Sequence, residues 1–351
     1  MVNRAEWMIY GANGYTGRLV AAEAKRRGLN PLLAGRRAGP IEKLATELGL
    51  RARVFDLQSA AAALADIAVV ANCAGPFAAT SAPMIDACLK NQTHYLDITG
   101  EIDVFLAAQR RHVEAKTAGI VICPGVGFDV IPTDCMAAVL KEALPDATHL
   151  VLAFDAGGSM SPGTARTMVQ SARLGQRSGR VRRNGVIEEV PLAHDWRRID
   201  FAGGSAMAIA IPWGDLATAW FSTGIPNIET YVAVPRVAAI ASRALNWVRP
   251  LVASASGQML LQQLANRISG PSEEQLRTGR SRLWGEVHNA AGERRTAHLE
   301  TANGYRLTAD GTNMAVQFLL NAAPSGGYYT PSMLMGARCV EQLPGSSSIR
   351  M

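Results

Sequence analysis

Apolar residues along the first 125 positions fall into short runs of buried character, each followed by a longer segment with a helical period. Trp7–Tyr10 reads as a strand and Arg18–Arg27 as a helix that Gly28 stops, and a second strand follows over Pro31–Arg37. The alternation continues through a helix at Ile41–Leu50, a strand at Ala52–Phe55 ending in Asp56, and a short helix at Ser59–Ala65. Ile67–Asn72 is a continuous apolar run of the kind found in strands covered on both faces. Helix Ala79–Lys90, strand His94–Asp97, helix Ile102–Thr117 and strand Gly119–Cys123 complete the series. Strands alternating with helices imply right-handed βαβ units, hence an α/β fold with a Rossmann-type doubly wound parallel sheet.

Beyond that point the period changes. Ile131–Ala143 reads as a helix, Thr148–Asp155 as a strand, and Ser161-Pro-Gly-Thr164 opens a helix running to about Ser178. Arg180–Val190 reads as a hairpin, because Asn184-Gly185 between alternating flanks supplies the positive φ of a type I′ turn. Alternation recurs at Ala206–Ile211, Ile228–Val234, Ser281–His288 and Arg294–Thr301. The expected organisation is a nucleotide-binding domain at 1–130 and a second α+β domain at 131–324 containing an antiparallel sheet. Tyr328–Leu343 reads as a last helix, with Thr330 as N-cap and Pro331 at its first position.

The first strand runs into Gly11-Ala-Asn-Gly14-Tyr-Thr-Gly17 and then a helix, the context a dinucleotide fingerprint requires. Gly11 permits the tight turn, Gly14 permits backbone approach to a pyrophosphate, and Gly17 permits close packing of helix on strand. The helix N-terminus then offers its N–H groups and positive dipole end to the phosphates. The second strand ends Ala34-Gly35-Arg36-Arg37, with no acid between Pro31 and Pro40 to accept from a ribose 2′-hydroxyl. A guanidinium there suits a 2′-phosphate, which favours NADP over NAD; the alternative is that Arg36 and Arg37 are solvated loop charges. In doubly wound sheets ligands lie beyond the carboxyl ends of the strands. That rule selects Gly11–Gly17, Arg36, Asp56, Cys73–Phe77, Asp97–Glu101 and Pro124–Asp129 as the lining of one crevice.

Tyr10–Leu19, Ala34–Arg36, Ala74–Phe77, His94–Glu101 and Gly127–Asp134 together resemble the saccharopine dehydrogenase-like oxidoreductases. The likeness is nearest to the branch that includes trans-acting enoyl reductases. It continues more thinly through Trp213–Thr218, Ser222–Asn227 and Tyr329–Leu334. The resemblance implies that Gly11, Asn13, Gly14, Tyr15, Thr16 and Gly17 hold the pyrophosphate and Arg36 the 2′-phosphate. It also implies that Ala74, Gly75 and Pro76 lie near the nicotinamide ribose, and that the C-terminal segment from about 325 to 351 returns to the first domain. Cys73, before this turn, reads as a small buried hydrophobe rather than a nucleophile. The family spans C–N and C=C chemistry, so the resemblance implies NADP-dependent hydride transfer without fixing the bond.

Composition narrows the setting. Hydrophobic content of 48% with 18% charged residues is that of a foldable chain. A net charge of +6 over 351 residues is too small an excess to argue for nucleic acid. Five cysteines, odd in number and without a Cys-x-x-Cys pair, argue against a disulfide framework or a metal site and for a cytoplasmic location. No run is long and apolar enough for a membrane span.

Hydride transfer needs a proton-handling group, and the candidates near the crevice are Asp97, Glu101, Asp129, Asp134, Tyr95 and Tyr15. Asp129, after the sixth strand, and Asp97 are the catalytic candidates, and the alternative for Asp129 is a structural carboxylate that ties its loop. The apolar stretch Val232–Ile268, with sparse arginines at Arg236, Arg243, Arg249 and Arg267, reads as a helical pair. It also reads as the wall of a pocket for a small or lipid-like substrate, or as a peripheral membrane contact. Arg173, Arg177, Arg180, Arg182 and Arg183 form a basic cluster, read as a solvated face or as a dock for an acidic carrier protein. A homo-oligomer is expected. The alternative to an enzyme is a nucleotide-binding scaffold without turnover.

Overall fold

The computed structural model describes residues 6–156, 179–237, 239 and 271–351. The helix expected at 161–178, with Arg173 and Arg177, and most of the 232–268 stretch lie outside the described residues. The chain forms two compact units, residues 1–131 with 305–339 and residues 132–304 with 340–351.

The first unit is built on strands β1 (Trp7–Tyr10), β2 (Leu32–Gly35), β3 (Ala52–Val54), β4 (Val69–Asn72), β5 (His94–Asp97) and β6 (Val121–Cys123). Together with a two-residue strand, Gly327–Tyr328, they form one sheet. Its order is Gly327–Tyr328, β6, β5, β4, β1, β2, β3, and every pairing is parallel. Every residue of β1, β2 and β4 is buried, as the continuous apolar runs require. The chain direction around the sheet reverses between β1 and β4, the position at which such folds open a ligand crevice. The connecting helices are α1 (Tyr15–Arg26), α2 (Ala38–Leu48), α3 (Ala60–Ala63), α4 (Phe77–Asn91), α5 (Ile102–Arg110) and α6 (His112–Ala118). The single helix expected at 102–117 is thus two, divided at Arg111, whose backbone leaves helical geometry at φ −88° and ψ 7°.

An 18-residue return helix, Gly304–Asn321, completes this unit and has no counterpart in the hydrophobic pattern. Thr308, Asp310, Thr312 and Asn313 are buried on it among Leu307, Ala315, Val316 and Leu319, so its packed face is mixed and the apolar period is blurred. Ion pairs with buried carboxylates join it to α1: Arg27 contacts Asp310, and Arg306 reaches Glu23 at 2.9 Å while also pairing with Asp310 of its own helix at 3.0 Å. Asn313 donates to the Val20 carbonyl of α1 at 3.1 Å. The segment returning to the first unit is therefore 305–339, not 325–351, and the last twelve residues (340–351) belong to the second unit. The helix expected over 328–343 is short, Pro331–Met335, with Thr330 capping it as expected. It stops at Gly336, where φ is +96°.

The second unit holds α7 (Ile131–Ala143, from its second residue) and strands β7 (His149–Asp155), β8 (Gly179–Arg183), β9 (Val186–Val190), β10 (Trp196–Phe201) and β11 (Gly204–Ala210). It continues with α8 (Asp215–Thr223), β12 (Asn227–Ala233), α9 (Glu273–Thr278), β13 (Arg280–His288) and β14 (Arg294–Ala302). The order β10-β11-β12-β7-β13-β14 is mixed rather than antiparallel, because β12 runs parallel to β7. Alternating polarity marks a strand's two faces but carries no sign of its direction. The β8–β9 hairpin turns through Asn184 and Gly185 at φ +47° and +80°, the geometry its sequence anticipates. Packing of α7 on the sheet requires Gly285, where a Cβ would fall 2.7 Å from the Met136 sulfur. Arg182 is not part of a solvated basic face: it is buried, donates to the Leu216 and Gly185 carbonyls, and lies over the Trp220 ring. Arg183 pairs with Glu188. No disulfide joins the five cysteines, no group of side chains could hold a metal ion, and no helix is long and apolar enough to cross a membrane among the described residues.

Candidate functional site

The glycine loop leaves β1 at Gly11, whose amide donates to the Ala34 carbonyl of β2 at 2.8 Å. Gly11 has φ +79°, and a Cβ there would fall 2.7 Å from the Ala74 nitrogen, so the loop beyond β4 crosses directly against it. A Cβ on Gly17 would collide with the Gly11 carbonyl, which fixes the close seat of α1 on the turn. Gly14 differs: it is exposed, and a Cβ there would meet only the Gly11 carbonyl, at 3.2 Å. Gly14 is the N-cap of α1, no side chain caps it, and no acid lies in the first turn. The helix end thus faces open space with its dipole uncompensated, as a pyrophosphate requires. Asn13, Tyr15 and Thr16 are half-buried around it, and the Tyr15 ring packs edge-on to Tyr305 of the return helix at 5.2 Å.

At the end of β2, Arg36 is exposed and no ion pair engages it among the described residues. The Tyr10 hydroxyl senses both Arg36 and Asp56: burial raises its pKa most, the Asp56 charge raises it further, and Arg36 opposes. Asp56 is exposed, and its carboxylate accepts from the Ser59 amide at 3.0 Å, capping the turn that follows β3.

The Cys73–Pro76 turn after β4 is tied down from beneath. The Asn72 side chain accepts from the Ala74 amide at 3.1 Å, and the Thr80 hydroxyl donates to the Ala74 carbonyl at 2.7 Å. Cys73 is half-buried, and burial, with the negative charge of Asp97, pushes its thiol up to about 12. A thiol held neutral is no nucleophile. Glu101 accepts from the Phe77 and Ala78 amides, both at 2.9 Å, and so caps α4 with an internal carboxylate. Burial nevertheless raises its pKa.

Asp97 is fully buried. One oxygen accepts from the Thr99 and Gly125 amides, both at 3.0 Å; the other accepts from the Tyr95 hydroxyl at 2.7 Å and the Ser81 hydroxyl at 3.3 Å. Burial still lifts its pKa to about 6. With four donors on it and no exposure, Asp97 joins β5, α4 and the β6 loop and leaves no position for a substrate. Tyr95 and Asp134 are likewise buried. His94 accepts from the Val121 amide through Nδ1 at 2.9 Å, a part of the sheet rather than of the crevice.

Asp129 is the exception among the candidate acids. It is half-buried, and burial alone pushes its carboxyl up to about 7. It leans on Gly100, where a Cβ would fall 2.8 Å from its Oδ2. The six residues of sequence on either side of the crevice floor, 73–78 and 124–129, contain no Lys, Arg or His, nor do residues 97–103. Phe77, Ile98 and Phe128, one from each of these loops, are half-exposed and apolar. The strand-end rule placed all these loops at one end of the sheet, and the parallel register of β1, β2, β4, β5 and β6 bears that out. Sequence reasoning missed the return helix, and with it Thr308, which accepts from the Phe128 amide at 3.0 Å.

Residues 7–123 match the family described as saccharopine dehydrogenase NADP binding domain. The chain is 32% identical over 161 residues to a trans-acting enoyl reductase of Mycobacterium ulcerans, covering 41% of this chain and 37% of that protein. It is 29% identical over 150 residues to the human saccharopine dehydrogenase-like oxidoreductase, covering 36% of this chain and 35% of that one. The matched stretch thus spans less than half the length of either relative. Apo saccharopine dehydrogenase (L-Glu forming) from Saccharomyces cerevisiae shares the fold, with a TM-score of 0.61 at 14% identity over 96% of both chains. The glycine turn, the uncapped α1 and the match over residues 7–123 converge on a likeness to the saccharopine dehydrogenase NADP binding domain.

Proposed function

We propose that this protein is an NADP-dependent oxidoreductase that reduces a C=C bond in a neutral, lipid-like substrate, with Asp129 as the proton donor. The carrying observation is the chemistry of the loops beyond β4, β5 and β6. They present Asp129, held neutral to about pH 7, beside half-exposed Phe77, Ile98 and Phe128, and no cation. A substrate bearing the carboxylate of an amino acid would need an arginine or a helix N-terminus on this wall, and the α4 terminus already holds Glu101. A C=N substrate of amino-acid type therefore fits this wall less well than an enoyl compound.

In this reading Gly11, Asn13, Gly14, Tyr15, Thr16 and Gly17 receive the pyrophosphate, Arg36 the 2′-phosphate, and Cys73, Ala74, Gly75 and Pro76 line the nicotinamide ribose. Asp56 shapes the adenine end through its cap. NADPH, when bound, supplies the hydride. Asp129 delivers its proton to the substrate and regains one from water; Asp97 and Glu101 act only as ties. A scaffold without turnover would have no use for a carboxylic acid poised near neutrality, which favours the enzyme. The test is substrate-dependent NADPH oxidation, comparing α,β-unsaturated thioesters with imines formed from an amino acid and a 2-oxo acid. Turnover of the thioesters alone is expected. Preferential turnover of the imines would overturn the bond assignment, and turnover of neither class would favour the scaffold.

A further inference from the structure

We infer that Thr308, on the return helix, is a positioning residue that holds Asp129 in its reactive placement by gripping the backbone of its loop. The inference rests on the reading of Asp129 as the acid. The loop from β6 to α7 is gripped from two sides. On one side Asp97 accepts from the Gly125 amide through its carboxylate and from the Val126 amide through its carbonyl, at 3.0 and 2.8 Å. On the other, two threonines one helical turn apart take the next residues. The Thr312 hydroxyl donates to the Val126 carbonyl at 3.3 Å, and Thr308 Oγ1 accepts from the Phe128 amide at 3.0 Å.

The helix can come this near only because residue 127 is glycine, since a Cβ there would lie 2.8 Å from the Thr308 methyl. Thr308 therefore meets the loop with both of its branches, the methyl lying over Gly127 and the hydroxyl holding the Phe128 amide. Asp129 follows at once, its carboxyl pressed towards Gly100. The charged groups on the packed elements include Asp97 and Glu101 on one side, Arg306 and Asp310 on the other, and buried Asp134 in the first turn of α7. Asp97 and Glu101 are committed to backbone amides, and Arg306 and Asp310 to each other and to α1.

The experiment labels the full chain with aspartate carrying 13C at the carboxyl and follows the Asp129 signal by NMR against pH, with Asp129→Asn identifying it. Thr308→Ser should keep the native midpoint near 7. Thr308→Val keeps the methyl packing but removes the acceptor, so the loop should loosen, Asp129 should hydrate, and its midpoint should fall by about one unit or more toward the ordinary aspartate value of about 3.9. A native midpoint in folded Thr308→Val would overturn the inference. Should that variant not fold, hydrogen exchange at the Phe128 amide of the unmutated protein decides. Protection is expected, and exchange at the free-peptide rate would overturn it. Neither measurement uses a substrate, whereas turnover by Asp129→Asn tests the acid itself, so the two readings can fail separately.

Discussion

Replacing Asp129 with Asn should stabilise the protein at alkaline pH while abolishing turnover. The Asp129 carboxyl is pushed from 3.8 up to about 7 by burial, so the folded state binds its proton more tightly than the unfolded chain. Stability is therefore lost as pH rises from about 4 to 7 and stays at its reduced level above 7. Three pKa units correspond to at most about 4 kcal/mol, and partial hydration of a half-buried group brings the expected penalty to about 2 kcal/mol at pH 8. Asn matches the protonated acid in shape and carries no charge. The variant should thus be about 2 kcal/mol more stable than the native protein at pH 8, with the gap narrowing toward pH 4. Urea denaturation at pH 5 and pH 8 reads both quantities directly. If the native protein were as stable as the variant at pH 8, or if the gap widened on acidification, Asp129 would not be a carboxyl held neutral by its surroundings.

Three further outcomes are expected. Arg36→Asp should weaken NADPH binding by about 2–3 kcal/mol, through a lost charge-assisted pair and a new repulsion, and leave NADH affinity unchanged or better, as measured by fluorescence titration; tighter NADH than NADPH binding by the native protein would refute the role of Arg36. Gly14→Val should abolish dinucleotide binding in a protein that still folds, because its side chain enters the space that the exposed cap leaves open; calorimetry showing retained binding would place the pyrophosphate elsewhere. Glu101→Gln should cost about 1 kcal/mol in thermal denaturation by leaving one of the two α4 amides facing an NH2 donor instead of an acceptor; no change would mean that the cap is not maintained in solution.

The nucleotide unit was legible because its strands are buried on both faces and its turns depend on glycine. Trp7–Tyr10 and His94–Asp97 match the observed strands to the residue, and Gly11, Gly14 and Gly17 each have a distinct steric reason. The return helix was not legible, since Thr308, Asp310, Thr312 and Asn313 face inward and Gly311 interrupts the helical signal. Its polar face makes sense only against partners 180 to 293 residues away. Asp97 and Asp129 could not be told apart either. Both follow strands in acidic loops, and only the donors around Asp97 separate a tie from a candidate acid. The parallel β7–β12 pair was hidden because side-chain alternation is the same in both directions.

The ion pairs from α1 to the return helix span 283 residues of chain. During synthesis the nucleotide-binding half emerges first, yet Glu23, buried beside Arg27, meets Arg306 only after the whole inserted unit has been made. Until then a buried carboxylate and the face of α1 that packs on Asn313 wait without their clasp, so the first unit is committed late and its contact order is high. A fragment cut after residue 131 would carry nearly the full sequence signature of a dinucleotide fold and still lack the part that locks it. The insertion therefore separates the two parts of the nucleotide-binding unit along the chain: α1 is made first, and its partners Arg306 and Asp310 follow only after residues 132–304.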